Sequence, residues 1–267
     1  MSRMKRLKAS LTGFPDVAAP PLWLTLAEGR AVFEYVAGLS WSPVLKHLVP
    51  KGDGHPVLVL PGLGATDLST APLRRFLDSI GYVSHPWGMG RNKGINETLP
   101  ARMERKLQQI YEQHGQKVSL VGQSLGGVFA RELSKLDPAR VRQVISLGSP
   151  FAGHPLATNG AYLYEWLSSE DLDKFDFKRH HEIRIKPPVP TTSIFSRFDG
   201  IVAWPCSIET GRPEGESINV RGVSHCGMGF APTTFYLLAK RLAQPAGRWT
   251  PFQPNMAERL FFGVSAE

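Results

Sequence analysis

The sequence predicts an α/β fold in which a mainly parallel central sheet carries helices on both faces. Three observations support this. Short continuous apolar runs, rich in β-branched residues, recur along the 267 residues, as strands buried on both faces require. Helical patterns separate these runs, and the alternation implies right-handed βαβ crossovers, which build parallel sheets. A composition of 42% hydrophobic and 20% charged residues can bury a large core, which excludes a disordered chain or a collagen-like repeat.

The first run, at 57–60, is Val-Leu-Val-Leu closed by Pro61-Gly62, and is predicted as a strand. A helical pattern follows at 71–80, then a short strand at 82–85 and a helix from about 98 to 114. A second buried run lies at 117–121, before a helix at 125–136 and a strand at 141–147. Further strands are predicted at 192–195 and 217–220, with a last helix at 232–242. Two segments depart from the rhythm. Residues 1–50 hold no clear buried strand and read as N-terminal helical decoration, with Leu22, Trp23, Leu26, Val32, Phe33 and Val36 able to form an apolar stripe. Residues 51–267 read as one α/β domain. A stretch at about 151–190 mixes aromatics with charges, and reads as a short cap insertion over one end of the sheet.

The formal charge is +8, and Arg3, Lys5, Arg6 and Lys8 place half of that excess in the first eight residues. That tail reads as a solvated terminus, capable of transient contact with an anionic membrane surface; no nucleic-acid partner is expected. Gly13, Pro15 and Asp16 interrupt the region where an export signal would need its apolar stretch. No run of about 18 apolar residues exists either, so the expectation is a cytoplasmic protein without a transmembrane segment.

The segment at 118–127, Val-Ser-Leu-Val-Gly-Gln-Ser-Leu-Gly-Gly, carries the most chemistry. A buried strand runs into G-x-S-x-G and then into a helix. A turn this tight presses both flanking positions against neighbouring backbone, hence Gly122 and Gly126, and it exposes the Ser124 hydroxyl at a helix N-terminus. A neutral hydroxyl is a weak nucleophile and needs a histidine base, itself held by a carboxylate. In this strand-turn-helix context the chain order is serine, acid, histidine. His225 lies just past the last predicted strand, in Val-Ser-His-Cys-Gly at 223–227, where a base would stand over the serine. His180 and His181 fall in a charged run and read as solvated surface. Asp199 follows the 192–195 strand, at the carboxyl end where sites in open α/β sheets are built. Asp171, Asp173 and Asp176 lack a preceding strand and rank below it. The oxyanion of a tetrahedral intermediate needs two N–H donors. The backbone amides of Leu125, directly after the nucleophile, and of Leu63, in the Gly-rich loop after the first strand, are assigned to it.

With these pieces in place, the chain resembles a bacterial esterase/lipase of the α/β-hydrolase superfamily. The matching segments are V-L-V-L-P-G-L-G-A-T-D at 57–67, V-G-Q-S-L-G-G at 121–127, S-L-G-S-P-F-A-G-H-P at 146–155, S-R-F-D-G-I-V-A-W at 196–204 and V-S-H-C-G at 223–227. The resemblance implies the α/β-hydrolase fold and a catalytic triad of Ser124, Asp199 and His225, with no metal and no organic cofactor. This chain departs from the pattern at Pro61-Gly62, where many relatives have His-Gly, and at Gln123, where His is frequent.

The expected function is hydrolysis of a small-molecule or lipid carboxylic ester through an acyl-enzyme. Thioesterase, acyltransferase and cofactor-free perhydrolase chemistry would use the same machinery. A non-catalytic protein binding a lipid or partner is the reading from another class. Trp87, Met89, Tyr162, Trp166, Trp204, Met228 and Phe230 are expected around an apolar acyl pocket, none of them as an assigned contact. Cys206 and Cys226 fall in the acid and base loops. Contact between those loops would allow a bridge and a reducing cytosol opposes it, so both states stay open. Neither has the C-x-x-C spacing of a metal site.

Overall fold

The computed structural model describes residues 17–153, 157–159, 182–211 and 213–264. Its strands are β1 (Pro56–Leu60), β2 (Val83–Pro86), β3 (Val118–Gln123), β4 (Val141–Leu147), β5 (Thr191–Phe195), β6 (Gly215–Val220) and β7 (Phe262–Val264). They form one sheet in the order β2-β1-β3-β4-β5-β6-β7. The first six are parallel, and β7 closes the edge antiparallel to β6. The predicted mainly parallel sheet is therefore present. Only β7 has no counterpart in the sequence reading: it has three residues, and its pairing with β6 creates it.

The helices are α1 (Leu22–Leu26), α2 (Ala31–Leu48), α3 (Asp67–Ser79), α4 (Leu99–His114), α5 (Leu125–Leu136) and α6 (Pro232–Leu242). α3 begins earlier than its apolar period indicates, because the Thr66 hydroxyl caps it by accepting from Leu68 N at 3.3 Å. Strand residues divide between two cores, as strands buried on both faces must. Val57, Val59, Val121 and Ile145 pack against Leu73 and Phe76 of α3 and Phe235 and Leu238 of α6. Leu58, Leu60, Leu120 and Val144 pack against Met103 and Leu107 of α4 and Phe129 and Leu133 of α5.

The N-terminal segment is helical, but its apolar stripe faces the other way from what an apolar period ordinarily implies. Leu22, Trp23, Leu26, Val32, Phe33 and Val36 are exposed, Phe33 by 76%. Leu24, Glu28, Gly38 and Leu45 point inward instead, and α2 lies against α6, α3 and the turn at 226–229. Most of the expected cap, at 154–156 and 160–181, lies outside the described residues. Of its described part, Thr158 forms an antiparallel bridge with Val202 in the loop after β5. Among the described residues no helix is long and apolar enough to cross a membrane.

Candidate active site

Because β1 to β6 are parallel, their carboxyl ends share one edge of the sheet. The chain leaves β1 towards β2 on one side and reaches β3 on the other, so the topological switch point lies between β1 and β3. Crevices for ligands in open α/β sheets form at such points. Ser124 stands at this place, between β3 and α5, with φ 52° and ψ −123°. Such a conformation strains any residue with a side chain by about 1–3 kcal/mol. The turn is as tight as the sequence demands. A Cβ on Gly122 would lie 2.3 Å from Gly126 O, and one on Gly126 would lie 2.5 Å from Leu60 O.

The loop after β1 runs directly past the serine: a Cβ on Gly62 would be 3.4 Å from Ser124 Cβ. Among the described residues neither Leu63 N–H nor Leu125 N–H has a hydrogen-bond acceptor, so both are free to donate. Buried Asn92, which the sequence reading missed, fixes this loop. Its Nδ2 donates to Pro61 O at 2.9 Å, its backbone N–H donates to Ala65 O at 2.8 Å, and its carbonyl accepts from Gly64 N at 2.7 Å. Asp67 holds the loop's far end by accepting from Trp87 N and Gly88 N.

Asp199 and His225 meet. The His225 Nδ1 to Asp199 Oδ2 distance is 2.7 Å, and both side chains are buried. The second carboxylate oxygen, Oδ1, accepts from Ile201 N at 2.9 Å and Val202 N at 2.7 Å, so the acid is held on both sides. Gly148, at the end of β4, backs the pair: a Cβ there would lie 3.1 Å from Asp199 Oδ2 and 3.2 Å from His225 Nδ1. Burial disfavours a charged imidazole, but the Asp199 carboxylate, through its charge and hydrogen bond, and the more distant Glu28 charge outweigh it. The His225 pKa is raised above its ordinary 6.5.

Ser124 Oγ makes no hydrogen bond to His225 among the described residues. The neighbouring Gln123 joins the two loops, donating from Nε2 to His225 O at 3.1 Å. This gives the residue that departs from the usual histidine a definite role. Serine–histidine contacts of catalytic sites commonly tighten only with substrate in place.

The sequence reading also missed Glu28 and Glu34, although both hold the site from the N-terminal helices. The buried Glu28 carboxylate accepts from Gly200 N at 2.8 Å, His225 N at 2.9 Å and Cys226 N at 2.9 Å. Glu34 accepts from Ser224 N at 2.9 Å and from the Ser224 hydroxyl. Thr25 Oγ1 donates to Gly200 O at 2.8 Å. A Cβ on Gly200 would lie 2.3 Å from Leu24 O, so the glycine after Asp199 answers a close approach of α1. Two carboxylates six positions apart in a largely apolar helical segment were the available signal.

Of the expected aromatic rim, Trp87 and Met228 are buried core, Trp204 stacks on Phe195, and Phe230 meets Tyr35 edge-on. Met89 is partly buried against the α4–α5 core. Tyr162 and Trp166 lie outside the described residues, as do Asp171, Asp173, Asp176, His180 and His181. Cys206 and Cys226 are both free thiols. Burial and the nearby Asp199 charge push the Cys206 thiol up to about 12, which leaves it protonated and unreactive.

No protein-family model matches the chain, and no curated protein does. Among solved structures it is similar to an alpha/beta superfamily hydrolase from Oenococcus oeni PSU-1, with a TM-score of 0.51 and 17% identity over 72% of this chain and 94% of that one. It is also similar to a monoacylglycerol lipase from Paleococcus ferrophilus, with a TM-score of 0.51 and 16% identity over 73% of this chain and 96% of that one. The parallel strand order, the strained turn between β3 and α5 and these neighbours agree: the chain has the α/β-hydrolase fold.

Proposed function

We propose that the chain is a serine hydrolase that cleaves carboxylic esters through an acyl-enzyme. The observation that carries this reading is the 2.7 Å contact between Asp199 and His225 on the sheet edge where Ser124 occupies its strained turn. Ser124 Oγ attacks the acyl carbonyl while His225 Nε2 takes its proton. Asp199 holds Nδ1–H, fixing the tautomer and stabilising the imidazolium that forms. The Leu63 and Leu125 amides donate to the oxyanion. His225 then gives its proton to the leaving alcohol, and the same nitrogen activates the water that releases the acid.

Covalent labelling by a fluorophosphonate, read by mass spectrometry, tests the reading. The label is expected on Ser124. Because His225 must be neutral to act as base and its pKa is raised, the labelling rate and kcat/KM should climb with pH through a value above 6.5 and fall away on the acid side. A chain left unlabelled, or a rate flat between pH 5 and 8, would refute the assignment.

Glu28 is the positioning residue of this site, since it touches the backbone of both the acid and base loops but no reacting atom. Glu28→Gln turns an amide NH₂ towards backbone donors and displaces His225. A shift of about 1 Å at a reacting group costs about 10²-fold in rate, and that is the expected loss in kcat. Removing the Glu28 charge should also lower the pH at which activity rises, which a purely structural role would not do. A variant folded by circular dichroism with unchanged kcat and an unchanged pH profile would overturn this role.

A further inference from the structure

We infer that the outward face of α1 and α2, with the groove beside it, docks on the surface of an anionic lipid bilayer. α2 is apolar around most of its circumference, a pattern normally found in helices that are buried or in contact with lipid. Only Gly38 and Leu45 of α2 are buried, whereas Phe33, Val36, Leu39, Trp41, Val44 and Leu48 are exposed, Leu48 by 65%. Leu22, Trp23 and Leu26 of α1 extend the exposed apolar face. Contiguous apolar surface of this kind marks an interaction site. α2 does not meet the length and apolarity needed to span a bilayer, so the contact inferred is with α2 lying along the surface rather than across it.

Charge selects the occupant. The acidic residues between 17 and 52 are Glu28 and Glu34, and both are turned inward onto the acid and base loops. Lys51 is exposed, Lys46 of α2 is half-buried, and the sequence before α1 carries Arg3, Lys5, Arg6 and Lys8. Between α2 and α3 opens a groove of about 200 Å³, with Leu39 and Phe76 supplying apolar walls and Lys46 and Arg75 supplying cations. Among the described residues neither side chain has an ion-pair or hydrogen-bond partner. Two such cations at the rim of an apolar face suit lipid phosphates above inserted hydrocarbon. A second copy fits poorly, because a twofold contact would bring the same cation-bearing face against itself. Glu28, in the turn between these helices, accepts from the Gly200 and His225 amides on their inner side, so docking would bring lipid within one helix of the proposed catalytic loops.

The test is co-flotation of the full chain with phosphatidylglycerol or phosphatidylcholine vesicles, with partitioning followed by tryptophan emission, since Trp23 and Trp41 lie on the face. The chain should float with phosphatidylglycerol and far less with phosphatidylcholine. Phe33→Asp/Val36→Asp should lower the partition coefficient at least about tenfold. Lys46→Ala/Arg75→Ala should lower it about 30-fold on phosphatidylglycerol and leave phosphatidylcholine unaffected. All these residues lie outside the catalytic machinery, so thermal melting and fluorophosphonate labelling should match the parent chain. If the parent chain stays unlabelled, the ester-hydrolase reading fails and the vesicle result still stands. Absence of flotation, equal binding by all variants, or a lipid-free dimer dispersed by Phe33→Asp would overturn the proposal.

Discussion

Replacing Ser124 with alanine is expected to lower ester turnover by about 10⁶-fold and to abolish fluorophosphonate labelling, while the fold remains intact. The proposed mechanism places the acyl group on the Ser124 hydroxyl, and alanine removes that nucleophile. The backbone conformation at φ 52° is imposed by the close packing of Gly122, Gly126 and the end of β1, and alanine must adopt it as serine does. Stability to urea should therefore change by less than about 0.5 kcal/mol in Ser124→Ala. Ser124→Gly should be equally inactive but more stable by about 1 kcal/mol, since glycine adopts this conformation without steric cost, and the relief exceeds its extra chain entropy. Retained turnover in either variant would remove Ser124 from the mechanism. A glycine variant less stable than the parent would show that the turn stores no strain.

Asp199→Asn should lower kcat by about 10⁴-fold, as loss of the acid does in other serine triads. The geometry explains why no orientation of the amide is satisfactory. With NH₂ towards His225, Nδ1 must accept, so the proton moves to Nε2 and the base cannot take the serine proton. With the oxygen towards His225, the NH₂ faces the Ile201 and Val202 amides, which donate at 2.9 and 2.7 Å in the parent chain. The first arrangement satisfies the backbone amides but leaves the wrong tautomer, whereas the second buries donor against donor, a loss of about 1–3 kcal/mol. The pH at which activity rises should also fall, because the Asp199 carboxylate supports the raised pKa of His225. Steady-state kinetics over pH 5–9 measures both effects. A loss below about tenfold would assign the acid role to a different carboxylate.

Both predictions concern residues that were legible in the sequence. The strand before Ser124, the glycines flanking it and the helix after it are contiguous, and short-range sterics dictate that such a string makes a tight turn. Asp199 and His225 were legible for a different reason: each follows a parallel strand, and parallel strands deliver their following loops to one edge. Glu28 was not legible. Its partners Gly200 and His225 lie 172 and 197 residues away, and no local pattern records that a carboxylate will be buried against their amides. The stripe containing Phe33 and Val36 shows the same limit from the other direction. Its period correctly identifies an apolar face, but not whether protein, solvent or another surface will meet it.

The sequence by itself determined the alternation of strands and helices, the tight turn at Ser124 and the chain order in which Asp199 and His225 follow it. Each depends on a few adjacent residues whose backbone preferences and periodicity act before any distant contact forms. Only the tertiary structure decided that the N-terminal helices turn two carboxylates inward and their apolar stripe outward, that Asn92 pins the loop carrying Leu63, and that both cysteines remain free. These features depend on how whole elements pack, since the steric fit and hydrogen bonding of groups far apart in the chain are set only when the sheet and its helices come together.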